Sequence, residues 1–287
     1  MNRRYYSPES YLRLTLFVLS AALIFQDPAP ASEFHQNATR ILHFDADPAQ
    51  AKTLVVSTSN GDITVTGLDT DRVVIDAEIN VNGRNGETCE ELAKRVRIEA
   101  KRHNERLIVD PDLPRKIGYS ISISYQIIMP NHIGVDLEST NGDLSLANAN
   151  GDSRLETTNG SINAMNVKGT LSTSSVNGSI FLTKIISSRV TAETVNGHIE
   201  CQCVGQAPDR IEISTVNGGI DVTLPKGANA ALSAETVNGG LYISTGLGEI
   251  TSKSRGSIQM SIGNGAGEYE ISSVNGRVNI VVANPPD

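Results

Sequence analysis

The 287-residue sequence has no tryptophan, and aromatic residues make up only 4% of it. The ring platforms on which saccharide sites are commonly built are therefore scarce. Three cysteines are too few for a disulfide-held scaffold. An excess of basic residues is also missing. Lys and Arg number 24 against 32 Asp and Glu, for a net charge of −8, which argues against a general binder of nucleic acid or anionic membrane. Charged residues reach only 20%, so the chain is not globally disordered, and its length allows one or two domains with a sizeable core.

Long apolar runs are equally scarce. Residues 14–25 form one, interrupted by Thr15 and Ser20. It falls short of the roughly 20 residues that span a bilayer. Arg3, Arg4 and Arg13 flank it as a basic n-region, and Ala29 and Ala31 occupy the small-residue positions of a cleavage site. Residues 1–31 thus read as a signal peptide cut after Ala31. With no cysteine near the cut there is no lipid-anchor signal. The product is expected to be exported, to periplasm, cell surface or medium, with no transmembrane segment.

What the sequence does have is a repeat. Asn-Gly recurs at Asn60-Gly61, Asn141-Gly142, Asn159-Gly160, Asn177-Gly178, Asn196-Gly197, Asn217-Gly218, Asn238-Gly239 and Asn275-Gly276. The last interval is about two periods long, and Arg255-Gly256-Ser257-Ile258 reads as a degenerate copy inside it. Residues 136–283 then hold eight units of about twenty residues. Apolar and polar residues alternate on both sides of each Asn-Gly, a strand signature. Each unit is strand, fixed corner, strand, variable loop.

Two architectures fit. Asn-Gly is a strong hairpin signal, which would build an antiparallel sandwich or barrel. Alternatively each unit is one coil of a parallel β-solenoid, with equivalent strands stacked about 4.8 Å apart. A nearly constant corner at a nearly constant period favours the solenoid, because stacked asparagine amides can form a hydrogen-bonded ladder. The glycines are expected to supply a left-handed backbone there. The second residue after each Gly, Ile63, Leu144, Ile162, Ile180, Ile199, Ile220, Leu241 and Val278, forms the expected core column, in an interior too narrow for large rings.

Upstream, residues 32–48 read as irregular. Residues 49–135 read as a β-rich cap with one helix at 87–95, acidic early and basic late as the helix dipole prefers. Val96 to Lys101 and Arg106 to Val109 read as two strands, and Tyr119 to Met129 as a long one ended by Pro130. Residues 284–287 are a tail.

The segment Ser59-Asn60-Gly61-Asp62-Ile63-Thr64-Val65-Thr66-Gly67-Leu68-Asp69, the strand up to Pro130 and the serial Asn-Gly units after it resemble the bacterial putative-adhesin family of β-strand-repeat proteins, a domain of unknown function. The resemblance covers residues 50–283. It implies an exported or membrane-attached β-helical protein with no established enzymatic residues, so it carries no site residue onto this chain.

Chemistry-bearing groups are sparse. Asp62 and Asp143 follow Asn-Gly directly and could hold Ca²⁺, but other units have Ser161, Ser179, His198, Gly219, Gly240 and Arg277 there, so they read as turn polars. Cys201 and Cys203, with His198 and Glu200, lack the second ligand pair of a zinc site. The two thiols are expected about 7 Å apart on one strand face. Pairing of Cys89 with either is left open. The five histidines, His35, His43, His103, His132 and His198, are scattered and define no nucleophilic triad. Glu156, Glu193, Glu212 and Glu235 would stack as a solvated acidic stripe. Gly263 to Gly267 is a flexible loop without the Lys-Ser/Thr of a phosphate loop. The sequence thus points to a non-enzymatic interaction module with no cofactor or metal and no nucleic acid, whose partner is a cell-surface polymer or an envelope protein. The alternative is a carbohydrate-active β-helix enzyme, a polysaccharide lyase or glycosidase, which needs clustered carboxylates.

Overall fold

The structure is a computed structural model that describes residues 36–83, 89–114, 117–244 and 246–283. The expected signal peptide and the tail at 284–287 lie outside the described residues, as do Glu87 and Thr88 of the expected helix.

The chain begins with β1 (Gln36–Ala46), β2 (Thr53–Asn60), β3 (Ile63–Leu68) and β4 (Val73–Gly83). Helix α1 (Cys89–Arg95) follows, then β5 (Arg97–His103), β6 (Arg106–Asp112) and β7 (Tyr119–Pro130). Paired strands then succeed each other about the Asn-Gly corners: β8 (Gly134–Asn141) with β9 (Leu144–Ala147), β10 (Ser153–Asn159) with β11 (Ile162–Met165), and β12 (Thr170–Asn177) with β13 (Ile180–Ile185). Next come β14 (Arg189–Asn196) with β15 (Ile199–Cys203), β16 (Arg210–Asn217) with β17 (Ile220–Leu224), and β18 (Ala230–Thr236) with β19 (Leu241–Ile243). The chain closes with β20 (Glu249–Ser254), β21 (Ser257–Ile262), β22 (Gly267–Asn275) and β23 (Val278–Val282).

These strands form two sheets that face each other across one apolar core. The strands before each corner, together with β5, β6, β20 and β21, make a 12-stranded sheet in the order β20-β21-β18-β22-β16-β14-β12-β10-β8-β2-β6-β5. Those after it, together with β1, β4 and β7, make an 11-stranded sheet in the order β1-β4-β7-β3-β9-β11-β13-β15-β17-β23-β19. Pairing along the repeat is parallel and in register, Asn on Asn and Ile on Ile, so the molecule is a β-solenoid. Ile63, Leu144, Ile162, Ile180, Ile199, Ile220 and Val278 are fully buried, while Leu241, on the last coil, is only partly so.

Four expectations are corrected. First, residues 36–46 are not irregular but form β1, an edge strand antiparallel to β4. Its alternation is masked by Arg40 on the half-buried face, whose guanidinium donates to the carbonyls of Ala93, Lys94 and Val96 at the end of α1. Second, Arg255-Gly256 is not a coil corner. It turns an antiparallel hairpin, β20 to β21, which pairs in turn antiparallel with β18. Every residue of β20 is exposed, so that strand has no inward face with which to enter the core.

Third, the coils do not stack in chain order. The coil of Asn275 lies between those of Asn217 and Asn238, because β22 pairs with both β16 and β18. The coil of Asn60 stacks directly on that of Asn141, with the intervening chain looped out into the cap. The eight stacked coils are therefore those of the eight Asn-Gly pairs. Fourth, the interior admits rings, two of them fully buried among the described residues. Tyr125 and Tyr269 are buried, Tyr269 donating its hydroxyl to the Pro208 carbonyl at 2.8 Å beside a variable loop, where the coil has more room.

Candidate functional site

The Asn-Gly corner is the most regular feature of the surface, and its chemistry is structural. Each asparagine donates Nδ2–H to the Oδ1 of the asparagine below: Asn141 to Asn60, Asn159 to Asn141, Asn177 to Asn159, Asn196 to Asn177 and Asn217 to Asn196, at 2.8–2.9 Å. Asn275 continues onto Asn217, and Asn238 onto Asn275, both at 2.9 Å. A shorter ladder marks the opposite corner, where Asn166 donates to Asn148 at 2.8 Å and both residues have positive φ.

The glycines do not serve mainly through a left-handed backbone, contrary to expectation. Of the corner glycines only Gly61 has positive φ, at 127°. The others are needed because the next coil passes too close for a side chain. A Cβ on Gly142 would lie 1.9 Å from the Gly61 carbonyl oxygen, and one on Gly178 would lie 1.8 Å from that of Gly160. The same carbonyls explain a residue type whose role is silent in the sequence. Two positions before each asparagine from Asn141 onward stands a buried Ser or Thr whose hydroxyl donates across the coil gap. Ser139 donates to Gly61, Thr157 to Gly142, Ser175 to Gly160, Thr194 to Gly178 and Thr215 to Gly197. The constant hydroxyl in Thr-Val-Asn-Gly and Ser-Val-Asn-Gly was the available signal.

The expected metal candidates separate. Asp62 Oδ1 accepts from the Asp143 N–H at 2.9 Å, and Asp143 Oδ1 from the Ser161 N–H at 2.7 Å, so both carboxylates cap the neighbouring backbone. Cys201 and Cys203 point inward and are fully buried, whereas Glu200 is exposed on the opposite face of the same strand. The two sulfurs are 3.7 Å apart, much closer than the expected 7 Å, because both side chains lean into one interior gap. The contact with Cys203, then burial, holds the Cys201 thiol well above its usual range. Neither is bonded to Cys89. Among the described residues no group of three or more His, Cys, Asp or Glu could hold a metal.

The acidic stripe is also interrupted. Glu138 and Glu156 are neighbours, but Ser174 separates Glu156 from Glu193, and Glu212 stands in a different column beside Thr191.

Two polar constellations arise only from stacking. One joins three coils on the 11-stranded sheet. Asp221 Oδ1 accepts from Asn279 Nδ2 at 2.7 Å and lies 3.5 Å from the Arg277 guanidinium, while Oδ2 lies 3.2 Å from His198 Nε2. The out-of-order coil of Asn275 brings Arg277 and Asn279 there, which no reading in chain order could foresee. The His198 ring is turned toward Gly219 and Asp221, while Ser179 Oγ accepts the His198 backbone N–H at 3.2 Å, so no nucleophilic triad forms.

The other is a shallow groove of about 400 Å³ on the outer face of the 12-stranded sheet. Thr53, Arg106, Asp136, Asp152, Arg154 and Ser172 line it. Gly134 stands opposite Thr53, and a Cβ on it would lie 1.9 Å from the Asp152 carbonyl oxygen, so the glycine lets the coil that carries Asp152 pack closely under the groove. Arg106 pairs with Asp136 across two strands, and Arg154 with Glu156 at 2.5 Å. Asp152 Oδ1 is held by the Thr170 N–H at 2.9 Å.

Residues 121–281, more than half of the chain, match the model of the toastrack family DUF4097. The chain belongs to that family. No curated protein sequence matches this toastrack chain. Among solved structures it is similar to a "putative cell adhesion protein" of Clostridium sporogenes ATCC 15579, at 12% identity and TM-score 0.37, over 86% of this chain and 100% of that one. It is also similar to a "putative adhesin" of Bacteroides fragilis NCTC 9343, at 12% identity and TM-score 0.39, over 85% and 97%. A "putative lipid binding protein" of Parabacteroides distasonis ATCC 8503 is similar at 11% identity and TM-score 0.30, over 87% and 97%. Likenesses this distant carry no argument about the ligand of the toastrack chain.

Proposed function

We propose that the chain is an exported, non-enzymatic interaction module of adhesin-like kind, which presents its outer faces to a cell-surface polymer or an envelope protein. The observation that carries this reading is the outward face of the 12-stranded sheet. Its side chains stand in straight columns about 4.8 Å apart. One column runs Glu138, Glu156, Ser174, Glu193, Ser214; the column beside the asparagine ladder presents Val176, Val195, Val216, Val274 and Val237, all exposed. A rigid, repetitive surface of this kind suits a repetitive partner.

The second reading, a carbohydrate-active enzyme, draws on Asp136 and Asp152 in one groove. Hydrolysis needs one carboxyl held protonated by burial or by a like charge. Here Asp136 instead faces the Arg106 guanidinium, and Asp152 accepts a backbone N–H. That arrangement favours binding over turnover.

Co-sedimentation with isolated envelopes tests the proposal. The purified exported chain is expected to be retained saturably and to release no reducing sugar or unsaturated product from polysaccharide. Absence of retention by every envelope fraction overturns the binding role, and sustained product release favours the enzyme. Export is tested separately by N-terminal sequencing of the fractionated protein, which should begin at Ser32.

A further inference from the structure

We infer that the groove between Arg106 and Ser172 is the ligand site and that it takes a neutral, extended saccharide chain; this deepens, and rests on, the interaction-module reading above.

The argument begins with what the groove offers. Five successive strands contribute to it: Arg106 from β6, Thr53 from β2, Asp136 from β8, Arg154 from β10 with Asp152 just before it, and Ser172 from β12. The groove therefore runs across the strands, along the stacking axis. A strand-like peptide cannot add to its floor, because the inner strands β2, β8 and β10 are each paired on both sides. Side-chain anchoring of a peptide is also poorly served, since Val135 is the one apolar residue in the lining and is itself buried.

Charge narrows the ligand further. Two guanidinium groups face two aspartates, and Glu156 is already paired with Arg154. An anion placed there would be drawn to Arg106 and Arg154 but repelled by Asp136 and Asp152. A cation would meet the reverse. The four charged lining residues sum to zero, and Glu156 on Arg154 disfavours an anion further, yet the groove is dense in both donors and acceptors. Arg106 and Arg154 have N–H groups beyond those used in their ion pairs, Asp152 has its second oxygen, and Thr53 and Ser172 have hydroxyls.

Groups that both donate and accept, set at short intervals on an uncharged chain, match that lining. They are the hydroxyls of a saccharide. The geometry agrees, because an extended pyranose chain advances per residue by a length close to one strand spacing, about 4.8 Å. Successive sugars would thus meet successive coils. The volume of about 400 Å³ lies within the usual range of small-ligand sites. With no ring to stack on, binding rests on hydrogen bonds alone and is weak per site, so affinity for a polymer comes from its length.

The test is an NMR titration of the isotope-labelled exported chain with cellotetraose and chitotetraose as neutral probes and tetragalacturonate as the anionic one. Saturable shifts are expected at Asp136, Arg154 and Ser172 with a neutral probe. Arg154→Ala and Ser172→Arg should each weaken it at least about tenfold without changing the melting temperature, since both side chains lie on the outer face. Tighter binding of tetragalacturonate than of either neutral probe overturns the charge argument. Failure of both neutral probes to move groove resonances at millimolar excess overturns the site. If envelopes still retain the chain in that case, the interaction-module reading survives and only the groove assignment falls; if envelopes do not retain it either, both fall.

Discussion

Thr236 donates its hydroxyl to the carbonyl oxygen of Gly276 at 2.8 Å, across forty residues of chain. The bond is one rung of the buried hydroxyl ladder, and it records the order of assembly in space. The coil of Asn238 is laid down first in sequence yet sits outermost. The coil of Asn275 enters between it and the coil of Asn217, with Ser273 donating to Gly218 at 3.0 Å on its other side. The hairpin of β20 and β21 extends the 12-stranded sheet past β18, so the last coil strand is covered and the exposed, lysine-bearing β20 forms the edge in its place.

The hydroxyl ladder should be worth measurable stability. Thr194 is buried and gives its proton to the Gly178 carbonyl at 2.9 Å. Thr194→Val leaves that carbonyl without its hydroxyl donor in an apolar interior, a loss of about 1–2 kcal/mol. Thr194→Ser keeps the donor, as the serines at positions 139, 175 and 273 already do, and should retain most of the stability. Urea unfolding of the two variants checks the pair. A near-neutral Thr194→Val beside a destabilised Thr194→Ser would mean that the methyl group, not the hydroxyl, matters.

Corner and loop glycines should respond differently to the same substitution. In Gly178→Ala the new Cβ falls 1.8 Å from the Gly160 carbonyl oxygen, so backbone must move, and the expected cost is about 3 kcal/mol. Gly227 has positive φ, at 109°, but open space around it, so Gly227→Ala carries only conformational strain, about 1–2 kcal/mol. Thermal melts of both variants should rank them in that order.

Much of this was legible in the sequence, and the reason is the repeat. Identical neighbours at a constant period can satisfy one another only when stacked in register, so the asparagine ladder and the Ile63-to-Val278 column follow from spacing. The failures have physical causes as well. Gly256 resembles a corner locally, but Lys253 and Arg255 beside it leave β20 nothing to bury. β1 was hidden because Arg40 on its half-buried face is satisfied by the end of a helix distant in sequence. The groove was hidden because Arg106, Asp136 and Arg154 meet only after the cap has folded back beside the coil of Asn60. Such encounters depend on which coil lies beside which, and periodicity does not encode that.

Asparagine followed by glycine is prone to deamidation where the backbone is mobile and the amide is unheld. Asn177 donates to Asn159 and accepts from Asn196, both at 2.8 Å, which fixes its amide on both sides. Asn238 closes the ladder: it donates to Asn275, no further coil lies above it, and exposed Gly239 and Gly240 follow. Prolonged incubation at neutral pH followed by peptide mapping should therefore show isoaspartate at Asn238 well before Asn177. Comparable rates at the two sites would show that stacking does not protect the amide.

Alkaline pH should unlock the interior through its buried acids. Contact with Cys203 and burial raise the Cys201 thiol well above its usual 9.0, burial pushes the Tyr269 phenol up to about 12, and burial raises Tyr125 further. In the unfolded chain these groups release protons from about pH 9 upward for the thiol and about pH 10 for the phenols. The folded state then holds more protons than the unfolded one, so stability is intact below pH 9 and declines as pH rises. Cys201→Ala removes the thiol's share of that decline and leaves the phenols' share. The variant is expected to be less stable than the parent at pH 7, having lost buried volume, and the gap between them should narrow above pH 9. Urea midpoints across about pH 7 to 10.5 measure it. A gap that stays constant throughout would show that Cys201 ionises in the folded protein as readily as in the unfolded chain.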